Sequence, residues 1–190
     1  MEQRREPRSA GDEPGLWVLL CYRVPREPSA PRIAIWRKLR RLGTAQLADG
    51  LVALPADART REQLEWTAEE VTEAGGSAGI WLARPATAAQ ERELAAAMAA
   101  ARAAEYAAVA SRARAAQGTD GPARAAALRR LRGELRRIIR RDYFPPSARE
   151  QARAAVEALA SPGASPGASP GPAARDQAAA AVAADGGGPP

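Results

Sequence analysis

The order of periodic patterns between residues 16 and 83 constrains the fold of this chain more than any other feature. A nearly continuous apolar run, Leu16 to Val24, predicts a strand buried on both faces and ends before Pro25. Ile35, Trp36, Leu39 and Leu42 then recur at helical spacing, and Gly43 follows as a helix-ending residue. Two short runs, residues 44–47 and 51–54, flank Ala48-Asp49-Gly50, and an Asp-Gly pair in this position indicates a hairpin.

A second helix and a fourth strand complete this pattern. Thr60 to Gln63 has the spacing of a capping box, which predicts a helix to about Ala74 with Leu64 and Val71 on one face. Ser77 to Ala83 then predicts a strand. Over residues 15–85 the order is therefore βαββαβ, which is typical of a ferredoxin-like α+β domain with two helices on one face of an antiparallel sheet. The bulky core residues expected are Trp17, Trp36, Trp66 and Trp81.

Beyond Pro85 the pattern is purely helical. A capping-box spacing at Thr87 begins a helix to about Gln117, and a second helix covers about residues 123–141 with an apolar stripe of Leu128, Leu131, Leu135, Ile138 and Ile139. A third such spacing, at Ser147, begins a helix to about Leu159. We expect an all-helical appendage over residues 86–160. The polar residues 1–14 predict a disordered arm, and the Ser/Pro/Gly/Ala-rich residues 161–190 predict a disordered tail.

The composition excludes several kinds of site. The chain has one cysteine, Cys21, and no histidine, which rules out an intramolecular disulfide and catalysis by a Ser/His or Cys/His pair. It also has no phosphate-binding glycine loop and no paired metal ligands, so we expect no enzyme, no cofactor and no metal site. Cys21 lies in an apolar run and is expected in the core. The charged N-terminus and the short apolar runs predict a cytoplasmic protein without a membrane segment.

The positive charge is carried almost entirely by arginine. The 28 basic residues exceed the 22 acidic ones, which gives a net charge of +6, and Lys38 is the only lysine. The planar fork of arginine suits phosphate oxygens, so the basic faces of the first helix and of the 123–141 helix predict DNA binding. The residues predicted for this role are Arg32, Arg37, Lys38, Arg40, Arg41, Arg129, Arg130, Arg132, Arg136 and Arg137.

The same basic residues also have origins that involve no DNA. A GC-rich coding sequence enriches arginine without any functional need. The basic faces could equally be solvated surface, or could pair with the acidic residues of the second helix. Those residues are Glu62, Glu65, Glu69, Glu70 and Glu73.

A second candidate site is a small oxyanion pocket after the first strand. Arg23, Arg26 and Arg32 surround this loop, and the backbone amides at the start of the first helix would suit a tetrahedral dianion. The alternative is that Arg23 simply alternates out of the strand into solvent.

Three sequence segments together resemble the N-terminal domain of the ChrB chromate resistance regulator family. They are LWVLLCYRVPREPSAPRIAIWRKLRRLG, ALPADARTREQLEWTAEEVTEAGG and RRDYFPP, and they occur in the family's order over residues 15–159. The sheet portion also resembles PaaX-type repressors and small CRISPR-associated nucleases. The nucleases place an aspartate at the end of the first strand, where this chain has Tyr22-Arg23-Val24, so nuclease activity is not expected.

The resemblance implies a transcriptional regulator that binds DNA at a chromate-efflux operon and responds to chromate. Longer ChrB proteins carry a second, C-terminal domain, and this chain has its Ser/Pro/Gly/Ala tail in that position, which puts metal sensing in doubt. The oxyanion pocket is then the candidate chromate site. A homodimer is expected because symmetric operators require two-fold proteins. The alternative is an accessory module that binds a separate ChrB C-terminal domain, or another protein, instead of DNA.

Overall fold

The computed structural model describes residues 14–161. The predicted arm and tail lie outside these residues, except for Pro14 and Ser161. Every strand and helix that we predicted between residues 16 and 160 is present. In chain order they are β1 (Trp17–Arg23), α1 (Ser29–Leu42), β2 (Ala45–Ala48), β3 (Leu51–Pro55), α2 (Ala58–Glu73), β4 (Ser77–Ala83), α3 (Ala88–Ala115), a 3-10 turn (Ala116–Gly118), α4 (Gly121–Ile139) and α5 (Ala148–Ala160).

The four strands form one antiparallel sheet in the order β2-β3-β1-β4, which confirms the α+β class. β1 lies in the middle, where Val18 is opposite Leu54 of β3 on one side and Leu82 of β4 on the other. β2 and β3 form the predicted hairpin around Asp49 and Gly50. The sheet edges are therefore β2 and β4.

The first hydrophobic core, which we call the sheet core, lies between the sheet and helices α1 and α2. Val18 and Leu20 of β1 are buried together with Val52 and Leu54 of β3. The helices contribute residues four or seven positions apart, which is the spacing of one helical face. They are Ile35 and Leu39 of α1 and Leu64 and Val71 of α2. Each such buried side chain contributes about 1.5–3 kcal/mol, so these few residues hold the two helices on the sheet.

Most of the tryptophans do not belong to this core, contrary to our expectation. Trp17 is 2% exposed and stacks on Phe144 with ring centroids 5.9 Å apart. Trp36, Trp66 and Trp81 are 50%, 53% and 64% exposed. Trp36 follows directly after a buried α1 residue, and one residue rotates a helix by about 100°, away from the buried face. Trp81 lies on β4, an edge strand.

The prediction that β1 is buried on both faces, with Cys21 in the core, was wrong for the second half of the strand. Leu20 is buried, but Cys21 and Arg23 are exposed. Successive side chains of a strand point to opposite faces, and only one face of the sheet is fully covered at this end of β1. The opposite face is covered near Trp17, where α3 passes and its residue Met98 joins the sheet core.

Two of the three predicted capping boxes need correction. α2 begins at Ala58 because Asp57, and not Thr60, caps it. Thr60 N–H donates to Asp57 Oδ1 at 2.6 Å, and Asp57 N–H donates to Thr60 Oγ1 at 2.9 Å. Ser147 makes no side-chain capping bond at α5. Thr87 does cap α3, since its hydroxyl accepts from Gln90 N–H at 3.1 Å.

The second hydrophobic core, which we call the helical core, joins α3, α4 and α5. It contains Tyr106 and Val109 of α3 and Val156 of α5, and the predicted α4 stripe is confirmed, with Leu131 and Ile138 buried. α3 is 28 residues long and carries Met98 in the sheet core and Tyr106 in the helical core. This one helix therefore connects the two cores rigidly.

Replacing Gly50 with alanine is expected to destabilise the protein by about 2 kcal/mol or more. Gly50 has φ +72°, and a left-handed conformation costs other residues about 1–2 kcal/mol. A Cβ at this position would also clash with the Tyr22 carbonyl oxygen. Gly118→Ala is the matched control because a Cβ there meets nothing within 4 Å. Urea unfolding measures both, and equal midpoints for the two variants would contradict the expectation.

Candidate functional site

The predicted DNA-binding arginines of α4 divide into two stripes. Arg129, Arg132 and Arg136 are three and four residues apart, so they share one face, which we call the outer α4 face. All three are exposed, and among the described residues none lies within 4 Å of a carboxylate oxygen. Arg130 and Arg137 are two helical turns apart and line a cleft instead. The outer α4 face is therefore a row of uncompensated guanidinium groups in water.

The basic face of α1 is more nearly neutralised than the sequence suggested. Lys38 Nζ lies 2.6 Å from Glu70 Oε1 of α2, so the intramolecular pairing that we left open occurs for this residue. The Arg40 guanidinium lies over the Trp36 ring, 5.0 Å from its centroid. Arg32 and Arg37 are exposed. Only part of the predicted α1 surface is thus available to a partner.

A cleft of about 770 Å³ lies where α1 and α2 meet α3 and α4, and we call it the arginine cleft. Two carboxylates line it, Glu105 and Glu134, along with the apolar side chains of Leu42, Ala108 and Ile138. Its basic residues come from four helices and the segment after α4. They are Arg41, Arg59, Arg112, Arg130, Arg137, Arg140 and Arg141. The cleft brings Arg41 of α1 together with Arg130 and Arg137 of α4, which are about ninety residues away in sequence.

Two of these cleft arginines, Arg59 and Arg112, were not predicted from the sequence, and Arg140 and Arg141 were expected only as the end of the arginine-rich stretch of α4. Arg59 and Arg112 lie outside the two arginine-rich stretches of the sequence, each with one other arginine two residues away, and Arg140 and Arg141 follow directly after α4. None stands out by local spacing, because only the fold brings residues of α2, α3 and the end of α4 to one cleft. The one available sequence signal was the RRDYFPP segment, which carries two of them into the cleft.

Hydrogen bonds from arginine and tyrosine side chains to backbone carbonyls close the base of the arginine cleft. Arg59 Nη2 donates to the Arg140 carbonyl at 2.6 Å, and Arg141 Nη1 donates to the Arg40 carbonyl at 3.1 Å. The Tyr143 hydroxyl donates to the Leu42 carbonyl at 3.2 Å. These bonds fix the segment after α4 to the C-terminal end of α1, so the cleft walls have a defined separation.

A buried polar cluster supports the same segment from the helical core. The Tyr106 hydroxyl donates to Asp142 Oδ2 at 2.8 Å, and the Asp142 side chain is fully buried. Arg149 lies 3.7 Å from the same oxygen. Burial, and then the hydrogen bond with Asp142, raise the pKa of Tyr106 above its ordinary value of 10. The phenol therefore stays protonated and can serve as the donor throughout the physiological range.

Tyr106→Phe is expected to destabilise the protein by about 1–3 kcal/mol, because it removes a donor from a buried carboxylate. Tyr22→Phe is the control, since the Tyr22 hydroxyl has no hydrogen-bond partner in the described residues and should change stability by less than about 0.5 kcal/mol. Thermal or urea unfolding at pH 7 measures both. Equal stability of the Tyr106→Phe variant and the parent would show that the bond contributes nothing.

The raised pKa of Tyr106 also predicts a loss of stability in alkali. The folded state holds the phenol proton to higher pH than the unfolded chain, so this contribution is complete below pH 10 and is lost as the pH rises above it. The free energy of unfolding, followed from pH 8 to 11, should fall more steeply in the parent than in Tyr106→Phe. Parallel curves would contradict the assignment.

The oxyanion site predicted at Arg23, Arg26 and Arg32 stays a prediction. Arg23 is exposed at the end of β1, Arg26 is exposed in the following loop and Arg32 is exposed on α1. None of the three lines the arginine cleft, the smaller cavity beside Tyr22 or the groove between Trp17 and α3. They lie near one another along the chain, and none of them contributes to these three cavities of residues 14–161.

Residues 14–161 hold neither a metal-binding cluster nor a membrane-spanning helix. No group of three or more cysteine, aspartate or glutamate side chains in that range is arranged to hold a metal ion. No helix there combines the length and the apolar character needed to cross a bilayer.

Comparison with known proteins agrees with the resemblance seen in the sequence. No curated protein and no solved structure matches the chain significantly. The family model described as protein ChrB, N-terminal, matches residues 32–115, which include most of α1, the hairpin, α2, β4 and α3. This match relates the chain to chromate resistance. Residues 32–115 therefore belong to the N-terminal domain of the ChrB family.

Proposed function

We propose that this protein is a transcriptional regulator of chromate resistance that binds the DNA backbone through the outer α4 face. The observation that carries the proposal is the row formed by Arg129, Arg132 and Arg136, exposed and without carboxylate partners among the described residues. Like charges at helical spacing repel and destabilise a helix, so such a row costs stability unless it meets an anion. A phosphate backbone supplies anions at a matching density, and arginine can bind each of them with two hydrogen bonds.

Arg37 of α1 is exposed and can supply a further contact to the DNA backbone. Lys38 and Arg40 contribute less to DNA binding, because Lys38 is paired with Glu70 and Arg40 stacks on Trp36. The outer α4 face therefore supplies the main contacts, and α1 a weaker second set.

The architecture also supports a more specific fold than the α+β class, namely a ferredoxin-like domain. The order of elements βαββαβ and the sheet order β2-β3-β1-β4 are what a ferredoxin-like domain requires, with β3 between β1 and β2. We assign residues 15–85 to this domain and residues 86–160 to a helical appendage. The role is non-enzymatic, carried out in the cytoplasm as a homodimer on a symmetric operator.

Chromate is the proposed effector, since the family relates the chain to chromate resistance. The direct test is fluorescence anisotropy with labelled DNA from upstream of the protein's own gene, titrated with and without chromate. We expect binding that resists unrelated competitor DNA, and an affinity that chromate lowers by a factor of about 5–150, the usual range of coupling between two sites. Binding that ignores chromate would contradict the effector assignment, and no binding would contradict DNA recognition.

A second candidate function is that of an accessory module that binds protein, for example a separate ChrB C-terminal domain. The exposed Trp81 and Trp66 favour it, because tryptophan is enriched in protein interfaces. Under this alternative the anisotropy experiment shows no DNA binding. Copurification with a ChrB C-terminal domain, lost in Trp81→Ala, then identifies the module.

A further inference from the structure

The arginine cleft carries positive charge that its own carboxylates do not neutralise. Glu105 Oε2 accepts from Arg141 at 2.6 Å and its Oε1 from Arg102 at 2.9 Å, while Glu134 accepts from Arg112 at 2.6 Å. Both carboxylates of the cleft are therefore engaged. The remaining basic residues have no carboxylate within 4 Å among residues 14–161, and they are Arg41, Arg59, Arg130, Arg137 and Arg140.

These five guanidinium groups surround a concave space and not a flat patch. A cleft of about 770 Å³ is within the range of about 300–1,000 Å³ that small-molecule sites occupy. Walls of one sign of charge with apolar groups between them focus the field into such a cleft and concentrate counter-ions there. Leu42 and Ile138 are among the apolar groups in this case. The cleft is therefore a candidate site for a small anion, and its lining does not include Arg129, Arg132 or Arg136 of the outer α4 face.

The lining also limits the chemistry of that anion. One tetrahedral oxyanion can accept hydrogen bonds from only two or three guanidinium groups. The five uncompensated arginines of the cleft can therefore bind two or three oxyanion groups at once. Within residues 14–161 no aromatic side chain lines the cleft, so this part of the chain offers no platform there on which a nucleobase could stack. The geometry points to a site for a small oligophosphate, a ligand with two or three linked phosphate groups bound by Arg41, Arg59, Arg130, Arg137 and Arg140.

Both halves of the protein contribute to this site. Arg41 and Arg59 belong to α1 and α2, which pack on the sheet, and Arg130 and Arg137 belong to α4 of the helical core. An oligophosphate in the cleft bridges the two sets of cations and relieves the repulsion between them. Its binding therefore stabilises the whole fold, and the melting temperature rises with ligand concentration.

The test is isothermal titration calorimetry of the full chain with tripolyphosphate, pyrophosphate, orthophosphate and chromate at about 0.15 M salt, where exposed charges are largely screened. Tripolyphosphate should bind at least about ten times more tightly than orthophosphate or chromate, because only a linked anion reaches several arginines. Arg130→Gln/Arg137→Gln should weaken tripolyphosphate binding at least tenfold. Neither residue makes a side-chain hydrogen bond within the described part of the chain, so folding is preserved.

The control Arg129→Gln/Arg136→Gln removes the same charge from the same helix and should leave tripolyphosphate binding unchanged. Equal loss in the two double variants would reduce the effect to net charge and overturn the proposal. Equal affinities for orthophosphate and tripolyphosphate, or no binding at all, would also overturn it. The experiment contains no DNA, so its failure leaves the proposed regulatory function standing.

Discussion

Reversing the charge of the outer α4 face, with Arg129→Glu, Arg132→Glu and Arg136→Glu together, is expected to lower the affinity for DNA about 1,000-fold. Each arginine loses a charge-assisted hydrogen bond to phosphate of at least about 1.5 kcal/mol, and tenfold in affinity corresponds to about 1.4 kcal/mol. The new carboxylates also repel the backbone. Anisotropy at fixed salt measures the loss.

A control variant must separate the loss of these particular contacts from the effect of a lower net charge. The three reversals change the net charge from +6 to 0, as do three reversals elsewhere on the surface. Arg61→Glu, Arg92→Glu and Arg153→Glu serve as the control, because these exposed residues lie on α2, α3 and α5. The control should lose at most about tenfold, since screening weakens charges that lie more than about 8 Å from the contact. A control that loses as much affinity as the α4 variant would contradict a localised interface.

The largest expected effect on stability comes from Leu131→Ala. Leu131 is fully buried between α3, α4 and α5, and truncation of a buried leucine costs about 2–5 kcal/mol through lost burial and the cavity that remains. At this chain length each kcal/mol lowers the melting temperature by about 2–4 °C, so a fall of roughly 10 °C is expected. Calorimetry measures it. Leu128→Ala, on the same helix but only partly buried, is the matched control and should cost less than half as much.

This variant also tests how the two cores are connected. α3 contributes Met98 to the sheet core and Tyr106 to the helical core, so weakening one core should weaken the other. We expect a single unfolding transition that moves as a whole in Leu131→Ala. Two resolved transitions, only one of which moves, would show that the cores unfold independently.

The order of elements was predictable because it depends on local patterns. The Asp49-Gly50 pair marks the hairpin, Gly43 ends α1, and the 64/71 and 131/138 spacings identify the buried faces of α2 and α4. Each of these features is decided by a few neighbouring residues. The ends of helices were less predictable, since Asp57 and Thr60 both have capping side chains and only the fold selects Asp57 as the cap.

Burial of individual large side chains could not be predicted in the same way. Trp36 and Trp81 are as apolar as Trp17, but whether a side chain is covered depends on which face of the sheet a distant helix crosses. Phe144 covers Trp17 from far along the chain, whereas Trp81 stays largely exposed among the described residues. Cys21 was misplaced for the same reason. An apolar residue type favours burial, but the topology decides whether a given side chain is buried.

The candidate site, too, was predictable only in its local features. Arginine density marked α1 and α4, yet only the structure separates the outer α4 face from the arginine cleft and shows that Lys38 is neutralised by Glu70. Arg23, Arg26 and Arg32 are close in sequence, and all three are exposed and do not line the arginine cleft. Arg59 and Arg112 enter the site only through contacts between helices.

The most direct test of the central claim is the dependence of DNA affinity on salt concentration. Each phosphate neutralised by the protein contributes about −0.9 to the slope of the logarithm of the binding constant against the logarithm of the salt concentration. Contacts from Arg129, Arg132 and Arg136 therefore predict a slope of about −3 or steeper for the parent protein. The slope should become less steep by about one unit for each of these arginines replaced by glutamine. A flat salt response, or a slope that the replacements leave unchanged, would contradict DNA binding through the outer α4 face.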